Sequence, residues 1–445
     1  MLQHKNNRMH VTSFQIIIFG FLAIIILGSL LLMLPFATKD RTGAVFSDAL
    51  FTSTSAVCVT GLVLHDTATY WSVFGQGVIL ALIQIGGMGI VTVAVAFSTL
   101  AGRKIGLMQR STMQEAISAH HVGGIVRMTK FILKTTACIE LAGAALLFPA
   151  FYHDFGIVKG IWYSLFHSIS AFCNAGFDLI GVKEPFSSLT SYSTHPLVNI
   201  TIMALIIIGG IGFLTWNDIK TNKWHFRSYR MQSKVILSIT ALLLILPAVY
   251  FFFFEFSDLP IKERILSSLF QSVTPRTAGF NTADLTTLKA TGKMLIIALM
   301  LIGGSPGSTA GGMKTTTIAV MFSTALSVFR KKENTNFFKR RIPDSVIKSA
   351  ATIFLMYTTL CLVCGTIISE IESIPLSKSL FETASAIGTV GLSLGVTPHL
   401  GIISQLILIL LMFFGRVGGL TLIFAALTGT STNGSKYPEE KITVG

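Results

Sequence analysis

The sequence predicts an all-α polytopic membrane protein, built from four parallel span–pore-helix–span repeats around a pseudo-fourfold central pore. Hydrophobic residues make up 51% of the 445 residues and charged residues only 12%, whereas soluble proteins average about 25% charged residues. Eight apolar segments are long enough to cross a bilayer, which takes about 20 helical residues. A short unit ending in glycine lies between the two segments of each pair, and it occurs four times.

The apolar segments divide the chain into four repeats of about 110 residues. The predicted spans are roughly 13–35, 71–100, 128–151, 196–217, 233–256, 292–322, 347–370 and 401–428. The predicted organisation is an N-terminus (1–12), repeat 1 (13–101), a linker (102–127), repeat 2 (128–217), a linker (218–232), repeat 3 (233–328), a linker (329–346), repeat 4 (347–428) and a tail (429–445).

Charge predicts the orientation of the repeats. The net charge of +14 is concentrated in three loops, 103–134, 220–234 and 330–348, which follow every second span. Loops on the opposite side are slightly acidic. This asymmetry follows the positive-inside rule, so both termini are expected in the cytoplasm and all four repeats should run the same way. The same distribution argues against nucleic acid as a partner, and anionic lipid accounts for the basic loops equally well.

The repeated unit is clearest at 381–394, FETASAIGTVGLSL, and recurs at 51–64, 166–179 and 270–282. Glycine follows the opening phenylalanine by ten residues in three copies and by nine in the third. Irregular backbone at membrane depth persists only when it is buried in protein or lines water. Four copies around one axis meet that condition and predict an ion pore. Four interfacial hairpins with incidental glycines are the alternative.

The second span of every repeat carries a further glycine cluster. In the first two copies, at 85–89 and 208–212, the simplest interpretation is close helix packing. The third copy reads GGSPGSTAGGMKTTT at 303–317, and with five glycines and Pro306 it cannot remain one helix. We expect a movable intramembrane gate there; a static kink is the alternative. A phosphate loop is disfavoured, because Met313 separates glycine from Lys314 and no strand precedes the stretch.

In the fourth copy Arg416 takes the place of Gly87, Gly210 and Gly304. A charge within a membrane span marks a functional site by default. We expect an electrostatic barrier or an anchor for the gate, with a structural tie between helices as the alternative. Asp66, Asp178 and Asp284 closely follow three of the repeat glycines and are either outer-mouth cation attractors or solvated loop residues.

The four units and the 303–317 insert, with Arg416, resemble the membrane subunits of the Trk/Ktr/HKT superfamily of potassium transporters, and within it the bacterial KtrB subunits. Thr389-Val390-Gly391 also echoes the start of the TVGYG filter of potassium channels. The resemblance implies a homodimer with one pore per subunit, a cytosolic nucleotide-binding ring of KtrA type, and potassium uptake stimulated by sodium. Four glycines at matching positions, rather than a serine in the first, favour potassium by family analogy.

The expected sites are therefore a filter and a gate. The filter residues are Val59, Thr60, Gly61, Asn174, Ala175, Gly176, Thr277, Ala278, Gly279, Thr389, Val390 and Gly391. The gate residues are Gly303, Gly304, Ser305, Pro306, Gly307, Ser308, Thr309, Ala310, Gly311, Gly312, Met313, Lys314 and Arg416.

The expected function is potassium conduction in a bacterial plasma membrane, with K⁺ as the transported ion, Na⁺ as an activator or co-ion, and no organic cofactor or transition-metal site on this chain. An alternating-access cation carrier is the alternative, and the parallel repeats argue against it because many such carriers have inverted repeats. A membrane enzyme is disfavoured, since no span carries a nucleophile–base pair or a metal triad.

Overall fold

The computed structural model describes residues 12–100, 106–116, 124–419 and 421, which are mostly helical. The helices are α1 (Ser13–Leu32), α2 (Phe46–Val57), α3 (Thr67–Tyr70), α4 (Val73–Met88), α5 (Ile90–Leu100), α6 (Leu107–Ala116), α7 (Ile125–Phe172), α8 (Pro196–Gly210), α9 (Phe213–Asn222), α10 (Met231–Tyr250), α11 (Ile261–Val273), α12 (Ala290–Leu301), α13 (Thr315–Phe329), α14 (Asp344–Glu372), α15 (Leu376–Gly388) and α16 (Ile402–Val417). A two-stranded antiparallel hairpin, β1 (Asn336–Phe337) and β2 (Arg340–Arg341), lies between the third and fourth repeats. The predicted N-terminal segment 1–11, the linker stretches 102–105 and 117–123, the end of repeat 4 beyond 421, and the tail 429–445 lie outside the described residues.

The first span of each repeat is a long apolar helix. By length and composition α1, α7, α10 and α14 are each able to cross a membrane. The range of α7 covers two helices separated by a kink, the first span of repeat 2, which extends past its predicted end at 151, and the short helix of that repeat. The two parts meet at Gly156, whose φ of 76° and ψ of −176° are accessible essentially only to glycine.

A short helix follows each first span and ends before the repeat glycine. These helices are α2, the last part of α7, α11 and α15. The phenylalanine that opens each unit is fully buried: Phe51, Phe166, Phe270 and Phe381. The following Ser/Thr/Ala residues are buried as well, so the short helices are surrounded by protein rather than lipid. This explains how a polar, short helix is accommodated at membrane depth.

The second spans of the first three repeats are broken, which goes beyond the single break that the sequence indicated. Helices α4 and α5 meet at 97° and α8 and α9 at 96°. The bends lie at Gly89 and Gly212, whose φ angles are 83° and 92°, and α16 ends at Gly418 with φ of 89°. The predicted close packing is also present, because a β-carbon on Gly86 of α4 would overlap the Val57 carbonyl at the end of α2. Packing and bending both select glycine, so the sequence pattern did not distinguish them.

The second span of the third repeat is interrupted, as predicted. Helix α12 ends at Leu301 and α13 begins at Thr315, with an irregular segment between them. Helices α12 and α13 have only 12 and 15 residues, and both are shorter than the roughly 20 residues that a bilayer requires. The break is a direct consequence of the glycines and Pro306, which disfavour helix.

Candidate ion pathway

Four loops of three residues, 59–61, 174–176, 277–279 and 389–391, lie at the ends of the short helices; we call them the glycine loops. They form a closed ring. A β-carbon built on the glycine of each loop would lie closer than 3.0 Å to a carbonyl oxygen of the next loop. Gly61 meets Ala175, Gly176 meets Ala278, Gly279 meets Val390, and Gly391 meets Thr60. The fourth loop thus returns to the first, and no side chain fits at any of the four positions.

The four glycine loops share one backbone conformation. Their first residues have left-handed φ angles, 57° at Val59, 61° at Asn174, 68° at Thr277 and 50° at Thr389. The glycines two positions later also have positive φ, between 71° and 93°. The middle residue of each loop has negative φ, since none of them is among the positive-φ residues. Such alternation of handedness directs successive carbonyls to the same side of the strand, which an ordinary extended strand does not do.

Hydroxyl groups of the short helices hold the glycine loops. The fifth residue of each unit is Ser55, Ser170, Thr274 or Ser385. Ser55 Oγ and Ser385 Oγ accept from the amides of Gly61 and Gly391 at 3.1 and 3.0 Å. Ser170 Oγ donates to the Phe177 carbonyl at 2.7 Å, and the Thr274 hydroxyl donates to that of Phe280. Ser or Thr recurs at the fifth position of all four copies, and this recurrence is the sequence signal for a role that was not predicted.

In two of the four repeated units, the residue after the opening phenylalanine forms hydrogen bonds with the chain that follows the loop glycine. Glu382 is fully buried and accepts from Ser393 Oγ at 2.7 Å, Leu394 N at 2.9 Å and Thr397 Oγ1 at 2.5 Å. His167 Nε2 accepts from Leu179 N at 3.3 Å. These contacts were not predicted, because no local sequence pattern connects these residues with a segment 11 to 15 residues further along.

A cavity of about 250 Å³ opens on one side of the ring and is lined by all four loop glycines together with Asp66 and Asp178. The Asp66 carboxylate is held by Ala68, Thr69 and the amide of Phe186. Burial, together with the nearby Asp66 carboxylate, raises the pKa of Asp178 to about 7. Asp284 does not line this cavity; its carboxylate accepts from Thr286 in an exposed turn.

The interrupted third span forms a compact loop, 303–314, which we call the intramembrane loop. Its neck is closed by the Gly303 amide donating to the Met313 carbonyl at 2.8 Å. The loop pairs with the helix ends of two other second spans. The Ser305 amide donates to Gly210 O at 3.0 Å and the Phe213 amide to Gly307 O at 2.7 Å. The Gly312 amide donates to Gly415 O at 3.0 Å. Backbone groups freed by the breaks are therefore satisfied by the loop.

The intramembrane loop lies directly against two glycine loops. Thr309 Oγ1 donates to the Phe172 carbonyl at 3.1 Å and lies 3.3 Å from Asn174 Oδ1. A β-carbon on Gly311 would overlap Thr389. The contact is therefore immediate, with no space between the loop and the first residues of these two glycine loops.

Arg416 connects the intramembrane loop with the first repeat. Its guanidinium donates to the carbonyls of Thr309 and Gly86, and to that of Gly87 at 3.1 Å. The last two carbonyls terminate α4, where a cation is favourable because unpaired carbonyls carry partial negative charge. Arg416 forms no ion pair with any described acidic residue. Lys314 Nζ donates within the loop to the carbonyls of Ala310 at 2.9 Å and Gly311 at 3.3 Å.

A second cavity, of about 340 Å³, is lined by the intramembrane loop, Lys314, Arg416, Gly89 and Gly418. It contains none of the ring glycines, whereas the first cavity contains none of the intramembrane loop. The ring and the intramembrane loop therefore separate two spaces.

Arg276 in the third unit has no described acidic partner either. Its Nη2 donates to Thr240 Oγ1 at 3.3 Å, and its Nε is buried without a described partner. No carboxylate forms an ion pair with Arg276 in the part of the chain that the structure describes. All twelve expected filter residues lie in the ring, and the expected gate residues lie together beneath it, with Arg416 bound to them.

Known transport proteins are similar to this chain over nearly its whole length. Residues 2–433 match the family model TrkH, described as cation transport protein. The chain is 40% identical to the potassium/sodium uptake protein NtpJ of Enterococcus hirae over 456 residues, covering 100% of both chains. It is 37% identical to Ktr system potassium uptake protein B of Bacillus subtilis, covering 97% of this chain and 96% of that protein.

A solved structure, the potassium transporter TrkH of Vibrio parahaemolyticus, is similar with a TM-score of 0.75 at 20% identity, over 96% of this chain and 87% of that one. This similarity confirms the predicted fold class. The closed ring, the broken second spans and the full-length match together lead to one assignment: the chain is a membrane-embedded transport protein, not an enzyme, and belongs to the TrkH family of cation transport proteins.

Proposed function

We propose that this protein takes up potassium through the ring of glycine loops. The observation that carries the proposal is the closed ring, in which four glycines with positive φ each touch the next loop's carbonyl. Backbone carbonyls arranged around one axis replace the hydration shell of K⁺. The proposed ligands are carbonyls of the residues 59–61, 174–176, 277–279 and 389–391. The printed functions of the relatives, potassium/sodium uptake and Ktr system potassium uptake, support the same ion.

The intramembrane loop is the proposed gate. It separates the cavity at the ring from the cavity lined by Lys314 and Arg416, so an ion that leaves the ring meets the loop. Arg416 supports this role in two ways. It binds the loop backbone at Thr309, and its uncompensated positive charge opposes a cation nearby. Opening requires the loop to exchange its hydrogen bonds to Gly210, Phe213 and Gly415 for others, which favours two discrete states.

The setting of the subunit is also proposed. We place it in a bacterial plasma membrane with both termini cytoplasmic, because its basic loops follow every second span. A homodimer and a cytosolic nucleotide-binding ring of KtrA type are proposed by similarity to the Ktr proteins. Sodium is proposed as an activator or co-ion, in line with the printed function of the Enterococcus hirae relative. An alternating-access cation carrier remains the second candidate.

Rubidium uptake into proteoliposomes tests the proposal. Purified protein should take up ⁸⁶Rb⁺ down its gradient, external K⁺ should compete more strongly than Na⁺, and low Na⁺ should increase the rate. Absence of uptake above protein-free liposomes in correctly folded protein would contradict potassium uptake. The number of ions per conformational cycle separates the two candidates, since a carrier moves a fixed small number and a pore does not.

A further inference from the structure

A further cavity, of about 370 Å³, lies beside the chain that follows the third glycine loop; we call it the side pocket. Asn281 lines the cavity at the ring, whereas the next residue, Thr282, lines the side pocket. The wall between the two cavities is therefore only one chain thick at this point. The same chain leads directly from the glycine loop 277–279, so a ligand in the side pocket would contact the segment that holds this loop.

The lining of the side pocket is acidic. Its described residues include the carboxylates of Glu255, Asp258 and Glu263, and none of them is a lysine, arginine or histidine. Such a lining attracts cations. Among the described residues no three acidic, histidine or cysteine side chains are placed to hold a metal ion together. The side pocket therefore suits a monovalent cation better than a divalent one, which takes several charged oxygen ligands.

Two oxygen atoms of the lining residues are buried and have no hydrogen-bond partner among the described residues. They are Thr282 Oγ1 and Glu255 Oε1. Thr282 is only 4% exposed, and the other carboxylate oxygen of Glu255 accepts from the Lys289 amide at 3.2 Å. A buried oxygen without a partner is costly. Both atoms therefore indicate a ligand that accepts coordination by oxygen.

The third repeated unit also lacks a hydrogen bond that supports the chain after the glycine in other units. In the fourth unit Glu382 accepts from the amide of Leu394, three positions after the loop glycine, and the second unit has the equivalent bond. The corresponding residues of the third unit are Gln271 and Thr282. Gln271 is fully buried, and neither polar atom of its side chain has a described partner. It lies one helical turn from Ser267, which lines the side pocket.

We propose that the side pocket binds Na⁺ through the Glu255 carboxylate and the Thr282 hydroxyl, and that the bound ion gives the third glycine loop the support that Glu382 gives the fourth. This inference rests on the proposed function, which includes Na⁺ as an activator, and it places that ion outside the conduction path. An ion that binds the ordered segment better than the disordered one shifts the population towards the ordered form. Sodium then promotes potassium uptake without passing through the ring.

Sodium binding is measured in the purified full-length protein as thermal stabilisation by NaCl relative to choline chloride, which requires no transport. A ligand that binds only the folded protein stabilises it as its concentration exceeds its Kd. Glu255→Gln removes the charge but keeps an oxygen for the Lys289 amide. We expect it to raise the half-stabilising Na⁺ concentration about fivefold, as loss of one coordinating charge should. Asp284→Asn is the matched control, because it removes the same charge from an exposed turn that does not line the side pocket.

Equal half-stabilising Na⁺ concentrations in Glu255→Gln and Asp284→Asn would overturn the site. Thr282→Val, which removes the hydroxyl oxygen at nearly constant shape, should also raise this concentration, whereas Thr282→Ser should leave it near the wild-type value. Equal values in these two variants would overturn coordination by Thr282. The same fivefold shift of Glu255→Gln in a KCl series would overturn the assignment of the site to sodium.

The effect on transport is tested by ⁸⁶Rb⁺ uptake into proteoliposomes at varied external Na⁺. Glu255→Gln should need about fivefold more Na⁺ for half-maximal stimulation than the wild type or Asp284→Asn, while uptake without Na⁺ stays unchanged. Wild-type sodium dependence in Glu255→Gln would overturn the support of the third loop by the ion. Absence of ⁸⁶Rb⁺ uptake in the wild type would instead contradict the proposed function, and the stabilisation series would still decide on the site.

Discussion

The guanidinium of Arg416 donates a hydrogen bond to the carbonyl oxygen of Thr309, 107 residues earlier in the chain. The same guanidinium donates to Gly86 and Gly87 at the end of α4. One side chain of the fourth repeat thus fixes the intramembrane loop of the third repeat to the broken span of the first. The arrangement supports the interpretation of Arg416 as an anchor for the intramembrane loop. The guanidinium also places a positive charge beside that loop.

Arg416→Gln should raise basal ⁸⁶Rb⁺ uptake. Hydrogen bonds of a charged group contribute about 1.5–3 kcal/mol, so weakening the closed state by even the lower value corresponds to about a tenfold change in the open population. Arg416→Lys should give an intermediate rate, because an ammonium carries the charge but cannot span Thr309 and Gly86 at once. Wild-type uptake rates in Arg416→Gln would contradict the anchoring role.

Removing residues 305–311 should raise flux without abolishing the preference for K⁺ over Na⁺. The deletion takes away the segment that lies against Asn174 and Thr389 but leaves all four ring glycines in place. Uptake and ion competition are measured in protein whose amount and monodispersity match those of the wild type. Flux at background level in such protein would refute the loop as a gate.

Ser385→Ala should weaken ion selectivity. The Ser385 hydroxyl accepts from the Gly391 amide at 3.0 Å, and loss of such a bond leaves a buried amide unpaired at a cost of about 1–3 kcal/mol. The fourth loop should then fluctuate more, and Na⁺ should compete with ⁸⁶Rb⁺ more effectively. Ser98→Ala is the control, since Ser98 Oγ donates to the Ala94 carbonyl within α5, away from the glycine loops. Equal Na⁺ competition in the two variants would argue against the hydroxyl support.

Uptake at low ion concentration should fall as pH decreases from 8 to 6. Burial and the Asp66 carboxylate raise the pKa of Asp178 to about 7, so this group is charged above that pH and neutral below it. The charged form attracts cations to the cavity at the ring. Asp178→Asn should abolish most of the pH dependence. Its uptake at low ion concentration should match, from pH 6 to 8, the uptake of the wild type at the lower pH. Persistence of the pH dependence in Asp178→Asn would contradict its assignment to Asp178.

The repeats and the glycine ring were predictable because their signals are local and occur four times. The four units carry a phenylalanine, a hydroxyl-rich helix and a glycine in nearly constant spacing. The interruption at 303–314 was predictable too, since glycine and Pro306 exclude helix whatever surrounds them.

Other features depend on contacts between distant segments, which a single sequence does not reveal. The bends at Gly89 and Gly212 looked like packing sites because both roles require glycine. The partners of Arg416 lie up to 330 residues away, and the Glu382 contacts depend on how the chain turns after Gly391. The kink between the first span of repeat 2 and its short helix depends on a single residue, Gly156.

Ion competition in Gly391→Ser tests the central claim, conduction through the ring, most directly. Gly391 has φ of 90°, and a β-carbon there would overlap the Thr60 carbonyl, so serine must displace the first and fourth loops. Gly124→Ser is the matched control, because φ is 80° there and no atom of the described residues lies within 4 Å of a β-carbon built on it. We expect Gly391→Ser to lose much of the preference for K⁺ over Na⁺ in ⁸⁶Rb⁺ uptake while Gly124→Ser retains it. Unchanged competition in folded, active Gly391→Ser would contradict conduction through this ring.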